Sequence, residues 1–200
     1  MKKILFASAI ALFGLANAQT TEKSGFEGRV FLMGQVGYES TDNNNNNVTT
    51  NNFSIVPTVG YFVAPTVAVG LGVGYVNATT KNETIDTKYI NDAFKVVPLA
   101  RKYWGLGDKL YIFGQLAVPM EWGTDKTKVA GSETSKAKYS SYGVQIAPGL
   151  DYFLTNNWSV EATIGAFGYQ NTKYKGAKSL DNYNFGVNLS NIQLGVKYIF

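Results

Sequence analysis

The 200-residue sequence contains no cysteine and no histidine. Without cysteine, disulfides and an N-terminal lipid anchor on cysteine are excluded, so packing and backbone pairing must hold the chain together. Without histidine, the chain lacks the side chain that most often activates a serine nucleophile, and neither histidine nor cysteine is available to bind a metal. We therefore expect no enzymatic activity, no metal site and no cofactor.

The chain also has little net charge and a low mean hydropathy. Its formal net charge is +4 and its lysines are scattered, which is too little for a nucleic-acid-binding protein. The mean hydropathy of −0.09 argues against a helical membrane protein. It does not argue against a membrane β-barrel, in which only every second strand residue is apolar.

The first residues have the organisation of a cleavable signal peptide, which we place at 1–18. Two lysines give a charged start, a short apolar stretch follows, and Ala-Asn-Ala fits a small-x-small cleavage site. The apolar stretch is too short to cross a membrane as a helix. We expect an exported chain with a short N-terminal segment at 19–25 and a single domain at 26–200.

Polar and apolar residues alternate along most of this domain, as in strands with one apolar face. The alternating segments are 26–38, 53–61, 67–75, 94–104, 110–122, 142–152, 158–166 and 185–200. In the first segment we expect Val30, Leu32, Val36 and Tyr38 to point outward, and Arg29, Phe31, Met33 and Gln35 inward. In the last segment the apolar positions change from odd to even numbers, which predicts a bulge near Ser190.

Long and short connections alternate between these segments. The long ones are about 39–52, 77–92, 123–138 and 170–182, and the short ones about 63–65, 105–109 and 154–157. Aromatic residues mark many ends of the apolar stripes, as at a membrane interface. The stripes are roughly 9–11 residues long, enough for a tilted strand to cross a bilayer. The pattern predicts an all-β fold, an eight-stranded antiparallel up-and-down transmembrane β-barrel.

The end of the sequence carries a recognisable motif. Four residues have the spacing polar-x-Gly-x-x-aromatic-x-aromatic: Gln193, Gly195, Tyr198 and Phe200. This spacing resembles the C-terminal assembly signal of bacterial outer-membrane β-barrels. The strand–turn–strand of 98–114 is also similar to one that recurs in that family, and the whole domain resembles the OmpX-like barrels and the membrane domain of OmpA.

The resemblance implies a location as well as a fold. We expect the outer membrane of a Gram-negative-type cell, with the loops outside and both termini in the periplasm. The implied partners are outer-membrane lipid, lipopolysaccharide and the β-barrel assembly machinery, and we expect a monomer that binds no nucleic acid. The alternative is an exported soluble, lipocalin-like ligand binder, whose apolar strand faces would point inward.

Several charged residues fall on positions that we expect to face the lumen. They are Arg29, Lys95, Arg101, Glu121, Asp151, Glu161 and Lys197. Charges inside a narrow barrel need partners, so we expect a lumenal charge network. The alternative use of the carboxylates is an acid–base pair, as in glycosidases. The enzymes that the resemblance includes depend on a catalytic histidine, which this chain lacks.

The sequence leaves two functional classes open. A filled lumen would make the barrel a structural or surface-interaction protein, whereas a partly empty lumen would make it a small porin-like channel for ions or small solutes. The charge network favours the first class. Gly70, Gly72 and Gly74 lie on an inward face and favour the second, unless they make room for Tyr111, Phe113 or Arg101.

The predicted long loops are rich in lysine. These residues are Lys81, Lys88, Lys126, Lys128, Lys136, Lys138, Lys173, Lys175 and Lys178. They form either a solvated rim or a surface that contacts the phosphates of outer-leaflet lipopolysaccharide.

Overall fold

The computed structural model describes residues 25–184 and 192–200. The signal peptide predicted at 1–18 and the bulge predicted near Ser190 lie outside the described residues. The described residues contain no helix of the length and apolarity needed to cross a membrane. They contain eleven strands: β1 (Val30–Asn43), β2 (Val48–Ala64), β3 (Val67–Asn82), β4 (Thr87–Gly105), β5 (Leu110–Ala117), β6 (Met120–Val129), β7 (Ser132–Phe153), β8 (Trp158–Ile164), β9 (Phe167–Tyr174), β10 (Ser179–Asn184) and β11 (Ile192–Ile199).

The strands form one antiparallel sheet that closes on itself. β5 and β6 both lie between β4 and β7. β8 and β9 both pair with β7, β10 pairs with β9, and β11 pairs with β8. β11 then pairs with β1, where Phe31 lies opposite Ile199. The described strands thus occupy eight successive positions around a closed barrel.

The predicted count of eight strands is wrong as a count of continuous strands, because two predicted strands are interrupted. Pro119 has no N–H to donate, and it separates β5 from β6. Gly165 has a φ of 66°, a conformation that favours glycine, and it separates β8 from β9. Neither interruption opens the sheet, because β7 pairs with all four of these strands.

The predicted long connections are also corrected. The turns at that end of the barrel are only 44–47, 83–86, 130–131 and 175–178, and the flanking residues continue the strands as polar hairpins. Side chains pair across these hairpins, as between Thr50 and Thr80 at 3.2 Å. Both hairpin faces are polar, so no hydropathy alternation marks them in the sequence. The turns at the other end, 65–66, 106–109 and 154–157, lie where short connections are predicted.

We call the two ends of the barrel the hairpin end and the turn end. Exposed aromatic side chains ring each end. At the hairpin end they are Tyr38, Phe53, Tyr75, Phe94, Trp122 and Tyr142, and at the turn end Tyr61, Trp104, Tyr152, Trp158 and Phe200. Exposed aliphatic side chains such as Leu71 and Val73 lie between the rings. The outer surface is therefore an apolar band bounded by aromatic girdles, as a membrane requires.

The first strand follows its predicted alternation with one exception. Leu32, Val36 and Tyr38 are exposed, whereas Phe31 and Met33 are buried in the lumen. Val30 is predicted to point outward but is only 4% exposed. The side chain of Gln35 lies outside the described part of the structure.

Candidate functional site

Four charged side chains meet in the lumen of the turn half. Strand alternation points them inward from β4, β7, β8 and β11, and each is at most 2% exposed: Arg101, Asp151, Glu161 and Lys197. The register of β7 and β8 places Asp151 directly opposite Glu161. Two cations therefore face two carboxylates in a space that excludes water, which is the condition under which buried charges must be paired.

Arg101 forms the geometrically strongest contact of this group. Its Nη1 and Nη2 atoms donate to the two carboxylate oxygens of Glu161 at 2.7 and 3.0 Å. Its Nε atom donates to Oε1 of Gln115 at 2.7 Å. The guanidinium carbon lies 4.5 Å from the centre of the Phe113 ring. This bidentate pairing satisfies both the charge and the planar donor geometry of the guanidinium group.

Lys197 joins the remaining members. Its ammonium group forms an ion pair with Asp151 and lies 3.9 Å from Oε2 of Glu161. It also donates to the hydroxyl of Tyr103 at 3.4 Å, and it lies 4.9 Å from the centre of that ring. Lys197 thus connects both carboxylates, and the four charges balance.

An aromatic layer closes the lumen on the turn side of these charges. Phe26, which precedes β1, lies at its centre. Its ring is 5.1 Å from those of Phe62 and Phe153 and 5.5 Å from that of Tyr111. Phe62 in turn contacts Tyr103 at 5.6 Å, which links the aromatic layer to the charged one. We define the lumenal plug as the four charged residues and these rings, together with Gln115, which contacts Arg101, and the buried inward side chains of Phe31, Ala68 and Phe113.

The plug reaches every side of the barrel. Each of the eight positions around the sheet contributes a side chain that is at most 2% exposed: Phe31, Phe62, Ala68, Arg101, Phe113, Asp151, Glu161 and Lys197. No sector of the wall therefore lacks an inward side chain at this level.

Three of the predicted network residues lie elsewhere. Lys95 and Glu121 are opposite one another on β4 and β6, with 3.9 Å between Nζ and Oε2 and partly exposed side chains. Glu121 also accepts a hydrogen bond from Tyr139 at 2.5 Å. Arg29 is not in the lumen: its Nε donates to the carbonyl oxygen of Phe200 at 3.1 Å. Arg29 precedes β1, so strand alternation does not fix its direction.

The inward glycines serve different neighbours from those predicted. A Cβ on Gly72 or Gly74 would press against Thr58 or Val56 of the adjacent strand rather than against Tyr111, Phe113 or Arg101. The plug rings instead depend on Gly60 and Gly149. A Cβ on Gly149 would overlap the ring of Phe113, and one on Gly60 would overlap the ring of Phe31.

Gln115 and Phe26 are among the plug members that the sequence analysis does not name. Gln115 is a polar residue on the inward face of β5, and this was the available signal. Phe26 lies before the first strand, so alternation says nothing about it.

A cavity of about 360 Å³ lies in the lumen beyond the charged layer. Its wall is mixed: Val56, Val97, Leu99, Ala117 and Ala147 are among its apolar members, and Lys95, Gln115 and Thr163 among its polar ones. Within 25–184 and 192–200, no group of three or more acidic residues lies close enough together to hold a metal ion.

The motif residues at the end of the sequence lie along the barrel seam. Gln193 pairs with Thr163, and Gly195 lies between Gln35 and Glu161. Tyr198 packs against Trp158, with ring centres 4.8 Å apart. The backbone N–H of Phe200 donates to the carbonyl of Val30 at 2.9 Å, and the Phe200 ring is 52% exposed. Phe200 therefore both continues the seam and contributes to the turn-end girdle.

A closed antiparallel sheet with an apolar outer band, two aromatic girdles and paired charges inside defines a membrane β-barrel protein. The sequence model of the outer membrane protein β-barrel domain family matches residues 5–200, and the chain belongs to this family. It is thus an outer-membrane protein. No curated protein sequence matches the chain at a significant level.

Three solved structures resemble the chain at low sequence identity. The N-terminal β-barrel domain of OprF from Pseudomonas aeruginosa has 13% identity and a TM-score of 0.44, over 86% of this chain and 97% of that one. Neisserial surface protein A has 16% identity and a TM-score of 0.47, over 86% and 97%. OprG from Pseudomonas aeruginosa has 16% identity and a TM-score of 0.49, over 88% and 98%.

Proposed function

We propose that this protein is a closed outer-membrane barrel with a structural or surface-interaction role. In this proposal the plug blocks the lumen, the polar hairpins face the outside of the cell, and both termini lie in the periplasm. The observation that carries it is the buried, charge-balanced group of Arg101, Glu161, Lys197 and Asp151 across the lumen.

The size of the barrel supports closure. A barrel with about eight strands has an interior just wide enough for side chains to fill, whereas open aqueous channels need roughly 16–18 strands. Each of the eight sheet positions here contributes a buried side chain to the same part of the lumen. Opening a path would require the ion pairs to separate in a site with little water, which is costly.

The same contacts argue against catalysis by the lumenal carboxylates. Asp151 and Glu161 are at most 2% exposed, and each is paired with a cation. A catalytic acid–base pair must contact its substrate. Their burial supports a structural role within the plug.

A small channel is the second candidate, and the 360 Å³ cavity is the observation that favours it. The cavity occupies the lumen next to the plug, and Lys95 and Gln115 give it polar groups. It would conduct only if the plug moved. The two candidates therefore make opposite predictions for the unmodified barrel.

Potassium efflux from lipid vesicles tests the proposal. We expect vesicles that contain the wild-type barrel to retain potassium, and vesicles with Arg101→Ala to release it at least tenfold faster, because the guanidinium group joins β4 to Glu161 of β8 across the lumen. Lys95→Ala is the matched control, since it removes a lumenal cation outside the plug. Gel mobility before boiling verifies that each variant is folded. Rapid potassium efflux through the folded wild-type barrel would contradict closure.

A further inference from the structure

A belt of lysine side chains surrounds part of the hairpin end on its outward face. We call Lys81, Lys88, Lys126, Lys128, Lys136, Lys138 and Lys173 the basic belt. The strand period of two gives their direction: Lys88 shares a face with the exposed Phe94 on β4, and Lys138 shares a face with the exposed Tyr142 on β7. The belt therefore begins directly beyond the aromatic girdle and points toward the surrounding membrane surface.

The sheet register places several of these lysines opposite one another. Lys81 is opposite Lys88, and Lys88 is opposite Lys128. Lys126 is opposite Lys136 on the next pair of strands. Neighbouring strands are about 4.8 Å apart, and like charges directly opposite each other destabilise a sheet. The folded barrel thus holds lysines opposite one another across the four adjacent strands β3, β4, β6 and β7, and these lysines repel one another unless an anion lies between their ammonium groups.

Among the described residues, acidic side chains form ion pairs with two of the belt lysines. Lys81 pairs with Glu83 at 2.8 Å, and this ammonium group holds the pKa of Glu83 below its ordinary value. Lys126 pairs with Asp92 at 3.0 Å.

In the described ranges 25–184 and 192–200, the other members of the belt form no ion pair of this kind. Glu133 lies opposite Lys128 in the register but forms no ion pair with it. In the part of the chain that the structure describes, no carboxylate forms an ion pair with Lys88, Lys136, Lys138 or Lys173.

Among the described strands, the belt covers the adjacent positions of β3, β4, β6, β7 and β9 and does not extend to β1 and β2. On β1 and β2, the residues at the corresponding outward positions are Ser40, Asp42, Thr49 and Asn51, and none is basic. A generally solvated rim would not require this asymmetry. The positive charge is instead concentrated on β3, β4, β6, β7 and β9.

We propose that the basic belt binds the phosphate groups of outer-leaflet lipopolysaccharide. The inference rests on the proposed orientation, which places the hairpin end outside. A phosphate that bridges two opposed ammonium groups, such as those of Lys88 and Lys128, replaces their repulsion with two charge-assisted contacts. The girdle next to the belt contacts the acyl chains of the same lipid, so headgroup and chains meet adjacent surfaces of the barrel.

A charge-matched pair of variants tests this proposal. Lys88→Gln with Lys128→Gln removes two belt charges, whereas Lys102→Gln with Lys109→Gln removes two exposed charges at the turn end. The measurement is the temperature at which half of the detergent-solubilised barrel loses its compact gel mobility, over a titration with purified lipopolysaccharide. A ligand that binds only the folded state raises this temperature.

We expect the belt variant to bind lipopolysaccharide about tenfold more weakly than the wild type and the turn-end variant to bind it unchanged. Without lipopolysaccharide, the belt variant should be at least as heat-resistant as the wild type, because repulsion across β4 and β6 has been removed. Lys88→Arg with Lys128→Arg keeps the charge and should restore binding.

Binding measurements with other lipids and with inorganic phosphate show which source of phosphate the belt recognises. Dephosphorylated lipopolysaccharide should bind as weakly to the wild type as intact lipopolysaccharide binds to the belt variant. Equal binding of intact and dephosphorylated forms, or equal binding by the belt and turn-end variants, would overturn the proposal. Equal affinity for phosphatidylglycerol or for inorganic phosphate would also overturn it.

Measurement of potassium efflux with the same samples distinguishes a failure of the lipopolysaccharide inference from a failure of the closed-lumen proposal. A closed barrel that does not bind lipopolysaccharide would overturn only the proposed role of the basic belt. A leaking barrel that binds lipopolysaccharide would overturn only the proposed closure by the plug.

Discussion

At the scale of single residues, closure of the lumen depends on the contact between Arg101 and Glu161. Both side chains are fully buried, and two parallel hydrogen bonds join them. In a barrel, such a pair holds two distant strands, β4 and β8, at a fixed separation across the interior. The ion pair therefore contributes to the rigidity of the barrel as much as to charge balance in the lumen. Removal of one partner would leave the other side chain charged and buried.

Replacement of Glu161 by glutamine tests this dependence. The variant keeps the shape of the side chain but leaves Arg101 without its carboxylate, so we expect the free energy of unfolding to fall by about 3–5 kcal/mol. Urea unfolding in lipid vesicles, followed by gel mobility, measures the change. Glu83→Gln is the control, because it breaks an exposed ion pair with Lys81 and should leave stability unchanged. Equal effects of the two substitutions would refute a stabilising role for the buried pair.

Strand alternation alone assigns Arg101, Asp151, Glu161 and Lys197 to inward positions, and the structure brings them together. Alternation does not say which cation meets which anion, because this depends on the register of strands that are distant in sequence. Lys95 and Glu121 follow the same alternation but lie at another level of the barrel. Arg29 escapes the rule because it lies outside a strand.

At the scale of elements, the seam between β1 and β11 closes the barrel. Five residue pairs join these strands, from Phe31–Ile199 to Gln35–Gly195. Phe200 extends the seam through its backbone bond to Val30, while its exposed ring contacts Tyr198 at a distance of 4.8 Å. The residues that resemble an assembly signal are therefore also structural members of the closing strand.

Substitution of Phe200 by alanine separates these two roles. We expect the variant to fold in detergent nearly as well as the wild type but to reach the outer membrane of cells in severalfold lower amounts, because an interface anchor within the motif is lost. Phe53→Ala is the matched control, since it removes an exposed ring from the other girdle. Quantitative blotting of outer-membrane fractions measures the difference. Equal insertion of the Phe200→Ala and Phe53→Ala variants would contradict a specific role for Phe200 in insertion.

The alternation of apolar and polar residues correctly predicts the strand segments that lie within the apolar band of the outer surface. Inside it, one face must be apolar, so the period of two is visible and the short turns at 106–109 and 154–157 lie where expected. Beyond it, both faces of the hairpins contact water and the period disappears. The same criterion gives no warning of the breaks at Pro119 and Gly165, because the apolar pattern continues through them.

At the scale of the whole molecule, the structure is a membrane barrel whose two halves differ. The turn half is filled by aromatic rings and paired charges, whereas the hairpin half contains a cavity and carries the basic belt on its outer surface. The class of fold follows from the alternation of apolar and polar residues and from the aromatic girdles. The state of the lumen does not, because filling depends on how side chains from all sheet positions meet, as Phe26 and Gln115 illustrate.

Single-channel recording in planar lipid bilayers tests closure of the lumen most directly. We expect the purified wild-type barrel to give no conductance steps, because the plug spans every position of the sheet. Arg101→Ala should give small steps, and Lys95→Ala should remain silent. Stable steps of nanosiemens size from the wild-type protein would contradict the closed lumen and favour the channel.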